Sequence, residues 1–424
     1  MRSSRWTRPS RLTLGIAVVA VAVTVTVTGC TAPSASGGAA APTAATQTAT
    51  AVPTDVVIPA GTPAVLQFPQ VGSGAVGIAH PDGSVDVLGQ GGETGTVPIA
   101  SITKVITALV VLDAHPLTDT PESLAAGTVD QGPTITLGQA DLDITAAVEA
   151  QDQFVEPMYA GQEVSLRDAL AITLLTSANN YAESVALWAF GSQEGYLTAA
   201  RAWLAEQGLT ATTLADASGL DPGSASSTGD LLRVASLAHA NPALASIAGL
   251  TSLDQADLGT IVNQNVLLGE NGVDGLKTGS TSYAGYTLLT SAQVVVGATP
   301  VTLVSVVLGT SSIDDRFATT RALLASAQAG LREVPLVAAG QALGTYTVPA
   351  EAGSDAAPVQ LVASASGAVS AVVFGDEPVT TTIALDELTS SDGTLSAAIG
   401  DVVGTATFTT SSGVHTVPLA LSGS

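Results

Sequence analysis

Lysine is almost missing from this chain. Lys104 and Lys277 are the only two among 12 basic residues, which face 36 acidic ones for a formal net charge of −24 over 424 residues. Such a chain does not use lysine for surface solubility, so each lysine calls for another explanation. Nucleic acid and anionic surfaces are excluded as partners by the same charge balance. The single cysteine, Cys30, rules out an internal disulfide and leaves stability to core packing. Four histidines, His80, His115, His239 and His415, lie scattered without metal-ligand spacing. The carboxylate pairs Asp141/Asp143 and Asp314/Asp315 read as solvated loop or helix-end acids, so neither a metal nor a cofactor is expected. No Gly-x-Ser-x-Gly elbow precedes any histidine, which weakens a Ser-His-Asp reading. Aromatics are 4 % of the chain, and its core must be built of small aliphatic side chains.

The first residues, Met1 to Arg11, carry four arginines and no acid and run into the apolar stretch Leu12 to Thr28. That pattern is a secretory signal, and the stretch falls short of the ~20 apolar residues of a membrane span. Val27-Thr28-Gly29-Cys30 resembles the lipobox of bacterial lipoproteins, in which the cysteine is lipidated and becomes the new N-terminus. A lone cysteine would mean nothing by itself, but the Ala/Thr/Pro-rich run that follows reads as a flexible tether. The expected division is therefore 1–29 signal peptide and 30–59 disordered tether, giving an extracytoplasmic protein anchored to the membrane by lipid at Cys30. Removing residues 1–29 takes away four arginines and no acid, which moves the formal charge from −24 to −28.

From residue 60 to 333 the pattern alternates between strands and helices. The run Gly74–Gly89 has two short apolar segments around Pro81-Asp82-Gly83, as in a β-hairpin. Apolar residues at helical spacing follow Ser101 up to Pro116, and a second helical stretch, 165–191, breaks at Ser177-Ala178-Asn179. A third helical segment, 198–209, ends at Gly208, and β-branched alternation over 273–310 predicts adjacent strands before a closing helix near 317–331. Past Val334 the chain shows short β-rich runs between Gly, Asp and Ser turns, predicting a separate all-β module, 334–424. No internal repeat is present.

Three short constellations could carry chemistry. In Ser101-Ile102-Thr103-Lys104, three residues of separation on a helix place hydroxyl and amine on one face. A serine becomes a nucleophile when a neighbour accepts its proton, and a lysine does so once desolvation or another cation lowers its pKa. At a helix start the developing oxyanion would also meet backbone N–H groups. In Ser177-Ala178-Asn179 the hydroxyl could relay a proton and the amide could hold a carbonyl or the lysine. In Lys277-Thr278-Gly279-Ser280, at the start of a strand, cation and hydroxyl could bind a carboxylate while glycine admits a ligand backbone. Each alone is weak: a capping serine beside a solvated lysine, or polar residues at a helix break, are the commoner meanings.

Together, in this order, the three resemble the Ser-x-x-Lys, Ser-x-Asn and Lys-Thr-Gly set of the serine penicillin-recognising enzymes, and both lysines of the chain fall on them. Within that group residues 70–333 resemble the low-molecular-mass D-alanyl-D-alanine carboxypeptidases, in blocks such as PIASITKVITALVVLD, SLRDALAITLLTSANNYAESVA, DASGLDPGSASSTGD and VDGLKTGSTSYAGYTLLTSA. The tail, with AAIGDVVGTATF and HTVPLALSG, more loosely resembles the small β-sandwich that follows such domains. The resemblance implies an α+β transpeptidase-like catalytic domain, an antiparallel sheet flanked by helices, then an all-β sandwich. It also implies roles: Ser101 acylated, Lys104 as base, Ser177 and Asn179 in proton transfer and positioning, Lys277 and Thr278 on the terminal carboxylate. Backbone N–H groups of Ser101 and Ser280 would form the oxyanion hole beside Gly279, and Arg316 lies where relatives carry a substrate-anchoring arginine. Ala178 and Ser280 depart from the glycine and histidine of many relatives, which leaves peptide preference and deacylation rate open.

The implied substrate is the D-alanyl-D-alanine end of peptidoglycan stem pentapeptides, with β-lactams as covalent inhibitors. Endopeptidase or transpeptidase action shares the same chemistry. A β-lactamase would need a deacylating glutamate, typically as Glu-x-x-x-Asn, but Glu206 is followed by Gln-Gly-Leu-Thr and no glutamate lies between it and Glu270. A silent cell-wall-binding scaffold is disfavoured because none of the three motifs is broken.

Overall fold

The protein is seen in a computed structural model that describes residues 46–350, 354–391, 394–410 and 412–423. The expected signal sequence, the lipidation site Cys30 and residues 30–45 of the expected tether lie outside the described residues. Among the described residues no helix is long and apolar enough to cross a membrane.

A five-stranded antiparallel sheet forms the centre. Its strands are β1 (Ser73–Ala79), β2 (Val85–Gly92), β3 (Val273–Thr281), β4 (Gly285–Val296) and β5 (Thr299–Thr310), in the order β3-β4-β5-β1-β2. Side chains alternate between the two faces, as the period of a strand demands. Ala75, Leu289, Val304 and Val306 belong to one apolar cluster, and their neighbours Val76, Leu288, Leu303 and Val307 to another. Both faces are therefore buried.

The first face carries most of the helices: α1 (Thr103–Ala114), α2 (Gln139–Glu149), α3 (Leu166–Leu175), α4 (Asn179–Phe190), α5 (Gln193–Glu206) and α6 (Thr228–Ala240). Helix α1 is buried at every position from Thr103 to Leu112, its mostly apolar faces enclosing the polar Thr103, Lys104 and Thr107. On the opposite face α7 (Ile313–Gly330) packs Phe317, Leu323, Leu324 and Ala327 onto the sheet. The expected hairpin, the helix after Ser101, the break at 177–178 and the closing helix all appear.

Beyond Gly330 the regular elements among the described residues are all strands, with their own core around Leu343, Tyr346, Val403, Phe408, Leu419 and Leu421. The Tyr346 hydroxyl at its centre lies 2.8 Å from Val403 O and 3.0 Å from Asp386 O. Its six-stranded sheet runs Thr380–Leu385, Val402–Thr410, Gly413–Gly423, Val359–Ala365, Ala342–Val348 and Thr50–Pro53. The last strand corrects the reading of 30–59 as a tether throughout. Val52 pairs with Thr345 and Ala51 with Tyr346, the Ala49 amide bonds to Leu388 O, and Ala49 itself is buried in the core. Composition suggested no fold here because the segment buries little of its own. Pairing with an existing edge requires only backbone groups and extended residues such as Thr and Val.

Candidate active site

Ser101 and Lys104 come together where β3 meets the start of α1. A short 3₁₀ turn, Ala100–Ile102, leads into α1, and Ala100 adopts a left-handed φ of 49° to make the entry. The Lys104 amine then lies 3.0 Å from Ser101 Oγ. It is fully buried, and it also donates to Asn179 Oδ1 and to Ser218 O, both at 2.7 Å.

This contact set accommodates the neutral amine that a proton acceptor must be, whereas a charged amine would turn its third N–H onto Ser101 Oγ. An uncharged amine has two N–H groups and one lone pair; Asn179 Oδ1 and Ser218 O can only accept, so they take both N–H groups. What remains for Ser101 is the lone pair, which can receive the hydroxyl proton. Burial pulls the Lys104 pKa down to about 7, against the opposing pull of the carboxylates of Asp216 and Glu183.

Asn179 is oriented from its other side. Its Nδ2 donates to Phe154 O at 2.8 Å, which fixes Oδ1 toward the lysine. It opens α4 directly after the break, where Ser177 holds a left-handed φ of 68°. A serine there is strained, and such strain is found where surrounding structure enforces a functional conformation. Ser177 is half-buried, two residues before Asn179.

The third motif lies on β3, an edge strand of the sheet, with one side free of any strand partner among the described residues. A Cβ on Gly279 would stand 3.0 Å from Ser101 N and 3.2 Å from Ala100 Cβ, so only glycine lets β3 approach the nucleophile this closely. Lys277 is 1 % exposed, and its amine has no hydrogen-bond partner among the described residues. Burial, with help from Lys104 and Arg316, drives its pKa well below the ordinary lysine value. Thr278 Oγ1 donates to Gln264 Oε1 at 3.4 Å. Gln264 in turn donates from Nε2 to Thr176 O at 2.7 Å, which links β3 to the chain just before Ser177.

Arg316, on α7, donates from Nη1 to Gly279 O at 3.3 Å, and its guanidinium lies 4.4 Å from the Phe317 ring centroid. Burial lowers its pKa to about 10, so it stays charged at neutral pH. Two basic side chains thus converge on β3 with no carboxylate bound to either among the described residues, an arrangement suited to an anionic ligand end. Ser280 is exposed beside them. Direct hydrogen bonds join Lys104 to Ser101 and to Asn179, and Arg316 to Gly279. Ser177, Thr278, Lys277 and Ser280 are brought in by their position on the same elements.

Sequence reading missed three participants: Asp216, Ser218 and Glu183. Asp216 accepts from the backbone N–H groups of Gly219, Leu220 and Asp221 and from the hydroxyls of Ser218 and Ser224, at 2.7–3.0 Å. Those bonds wind the 216–224 loop into the shape that points Ser218 O at Lys104. Gly219 has φ +81°, and a Cβ there would lie 1.9 Å from Ala100 O. The signal was an aspartate heading a run of Gly, Ser and Pro, the mark of an Asx-type turn. Beside the loop opens a cleft of about 820 Å³ lined by Glu183, Asp216, Ser218, Asp221 and Tyr283 among others. Among the described residues no cluster of three or more metal-ligating side chains is present.

The model of the D-alanyl-D-alanine carboxypeptidase family matches residues 70–312. D-alanyl-D-alanine carboxypeptidase DacC of Escherichia coli is 29 % identical over 241 residues, which is 56 % of this chain and 57 % of that protein. The chain thus spans little more than half the length of that curated relative. Among solved structures, penicillin binding protein 5 from Haemophilus influenzae matches at TM-score 0.56 and 21 % identity, over 85 % of this chain and 98 % of that one. Penicillin binding protein 6B from Escherichia coli matches at TM-score 0.57 and 22 % identity, over 83 % and 95 %. At these identities the two structures establish the shared fold.

Proposed function

Because the chain belongs to the D-alanyl-D-alanine carboxypeptidase family, whose model covers more than half of it, we propose that it removes the terminal D-alanine from peptidoglycan stem pentapeptides through an ester on Ser101. The observation that carries this reading is the Lys104 amine, buried, held by two acceptors and 3.0 Å from Ser101 Oγ.

In the first step Ser101 Oγ attacks the carbonyl of the D-Ala-D-Ala bond as its proton passes to Lys104 Nζ. The N–H groups of Ser101 and Ser280 stabilise the oxyanion. Collapse breaks the C–N bond, and the departing amine takes a proton from Lys104, with Ser177 as the relay. In the second step water attacks the ester as its proton passes to Lys104, and Lys104 returns that proton to Ser101 Oγ as the ester C–O bond breaks and the shortened peptide leaves. The substrate peptide lies along the open edge of β3, its terminal carboxylate held by Lys277, Thr278 and Arg316. A β-lactam enters the same path and remains as a long-lived acyl-enzyme.

Endopeptidase or transpeptidase action differs only in the leaving or accepting amine. The two-part division at about residue 333, with 60–333 catalytic and 334–424 a separate β module, is part of the same proposal. So is export: a signal sequence over 1–29 and a lipid on Cys30 would hold the enzyme outside the cytoplasm against the wall.

A fluorescent penicillin must label the protein but not Ser101→Ala, and D-alanine must be released from diacetyl-Lys-D-Ala-D-Ala only by the unaltered protein. Equal release from both refutes the reading. Cys30→Ser must move the protein from the membrane fraction to the medium; retention refutes the anchor.

A further inference from the structure

The two oxygens that receive the Lys104 N–H groups belong to separate parts of the chain, and one side chain joins those parts. Asn179 opens α4, and Ser218 lies in the Asp216 loop. Glu183 is one helical turn beyond Asn179 on α4, and its Oε1 accepts from Ala217 N at 3.2 Å, one residue before Ser218. We propose that Glu183 is a positioning residue for the general base, clasping α4 to the Asp216 loop and thereby fixing the spacing of the two acceptors that hold Lys104. The inference rests on the reading of Lys104 as that base.

Glu183 also acts on Lys104 through its charge. The groups facing it are Lys104 on α1, Asp216 on the loop, and the buried Tyr196 on α5. Asp143 on α2 and Asp221 share its cleft, which no lysine, arginine or histidine lines. Burial, reinforced by Asp216, pushes the Glu183 carboxyl above its ordinary range. When ionised it favours the ammonium form of Lys104, so it opposes the loss of the proton that burial promotes.

The two contributions separate in a pair of variants. Glu183→Gln keeps an acceptor for Ala217 N and removes the charge. Glu183→Ala removes both. Penicillin acylation of Ser101 is followed from pH 5 to 9 in the full-length protein. For Glu183→Gln the midpoint of the acidic limb moves down by about one pH unit, because one opposing charge is gone. For Glu183→Ala the midpoint moves down likewise, and the plateau rate above it falls by roughly ten-fold or more, the size of one lost hydrogen bond to a charged group.

Two results would overturn the proposal: Glu183→Ala acylating at the wild-type rate, or Glu183→Gln losing as much rate as Glu183→Ala with an unmoved midpoint, the mark of a merely structural residue. If Glu183→Ala does not fold, the Glu183→Gln profile decides alone. Wild-type protein that penicillin does not label refutes the catalytic reading itself; labelled wild type with unresponsive variants refutes only the role of Glu183.

Discussion

The Lys104 amine lies 2.7 Å from the side-chain oxygen of Asn179, an acceptor-only atom turned toward the lysine because Nδ2 of the same amide donates to Phe154 O. With Ser218 O on the other side, at 2.7 Å, two N–H groups of the amine are taken and its third position meets Ser101 Oγ at 3.0 Å. Protonation would add a third N–H, directed at Ser101 Oγ, and the nucleophile would lose its proton acceptor. The electrostatics agree with the geometry, since burial brings the Lys104 pKa to about 7.

Acylation should therefore follow the neutral fraction of that amine. The second-order rate of penicillin acylation is expected to rise with pH through a midpoint near 7 and then level off. A rate constant independent of pH from 5 to 9, or a midpoint near that of an ordinary lysine, would contradict a lysine base. Stopped-flow measurement with a chromogenic cephalosporin gives the profile directly.

Lys277 should show opposite effects on stability and activity. Its buried amine has no partner among the described residues, and burial holds its pKa far below the usual lysine value. Replacing it by methionine, similar in volume, removes a desolvated polar group that the free protein does not satisfy. Lys277→Met should raise the thermal stability by about 1–3 kcal/mol. The same change should lower kcat/KM for a D-Ala-D-Ala peptide by about 10- to 100-fold, the worth of a hydrogen bond to a charged group. Because the folded-state pKa is depressed, the ammonium is lost as pH rises through it, so KM should climb on the alkaline side in wild type and stay level in the variant. Lower stability together with full activity would refute the carboxylate-binding role.

Much of the site could be read from the chain because its parts are short motifs on regular elements. A lysine three residues after a serine meets it on any helix, and Lys277-Thr278-Gly279 falls on a strand whose alternation is plain. Ser218 was hidden because it works through its carbonyl, which any residue provides. Glu183 was hidden because its effect depends on where the Asp216 loop folds back, a long-range fact with no local pattern. The strand Thr50–Pro53 was missed for a related reason: its partner, Ala342–Val348, is almost three hundred positions away and supplies the core that the segment itself lacks.

Gly279→Ala tests how closely β3 must approach the nucleophile. The added Cβ would lie 2.5 Å from Thr287 Oγ1 and 3.0 Å from Ser101 N, which forces the strand or the 3₁₀ turn aside. Overpacking of this kind costs about 1–3 kcal/mol of stability, so the fold should survive. Displacing the Ser101 N–H from the developing oxyanion should slow acylation by about 10²- to 10³-fold. Penicillin labelling beside a circular-dichroism melt separates the two effects; rapid labelling by a folded Gly279→Ala protein would show that the approach is not needed.

The segment 46–53 gives the last test, because a tether and a strand respond differently to the same change. Replacing these residues by a Gly-Ser run of equal length leaves the reach of the N-terminus intact and removes the pairing with Ala342–Val348. It also takes Ala49, 6 % exposed, out of the β core and uncovers the edge on which Gly344, Thr345 and Thr347 pair. A few backbone hydrogen bonds at about 1 kcal/mol each, with the lost burial, amount to several degrees in the midpoint of thermal unfolding. The bared edge should in addition promote aggregation above that midpoint. D-alanine release should continue at the wild-type rate below it, since the segment pairs only with the C-terminal β sheets and not with the sheet that carries Lys277. An unchanged melting curve would return residues 46–53 to the tether.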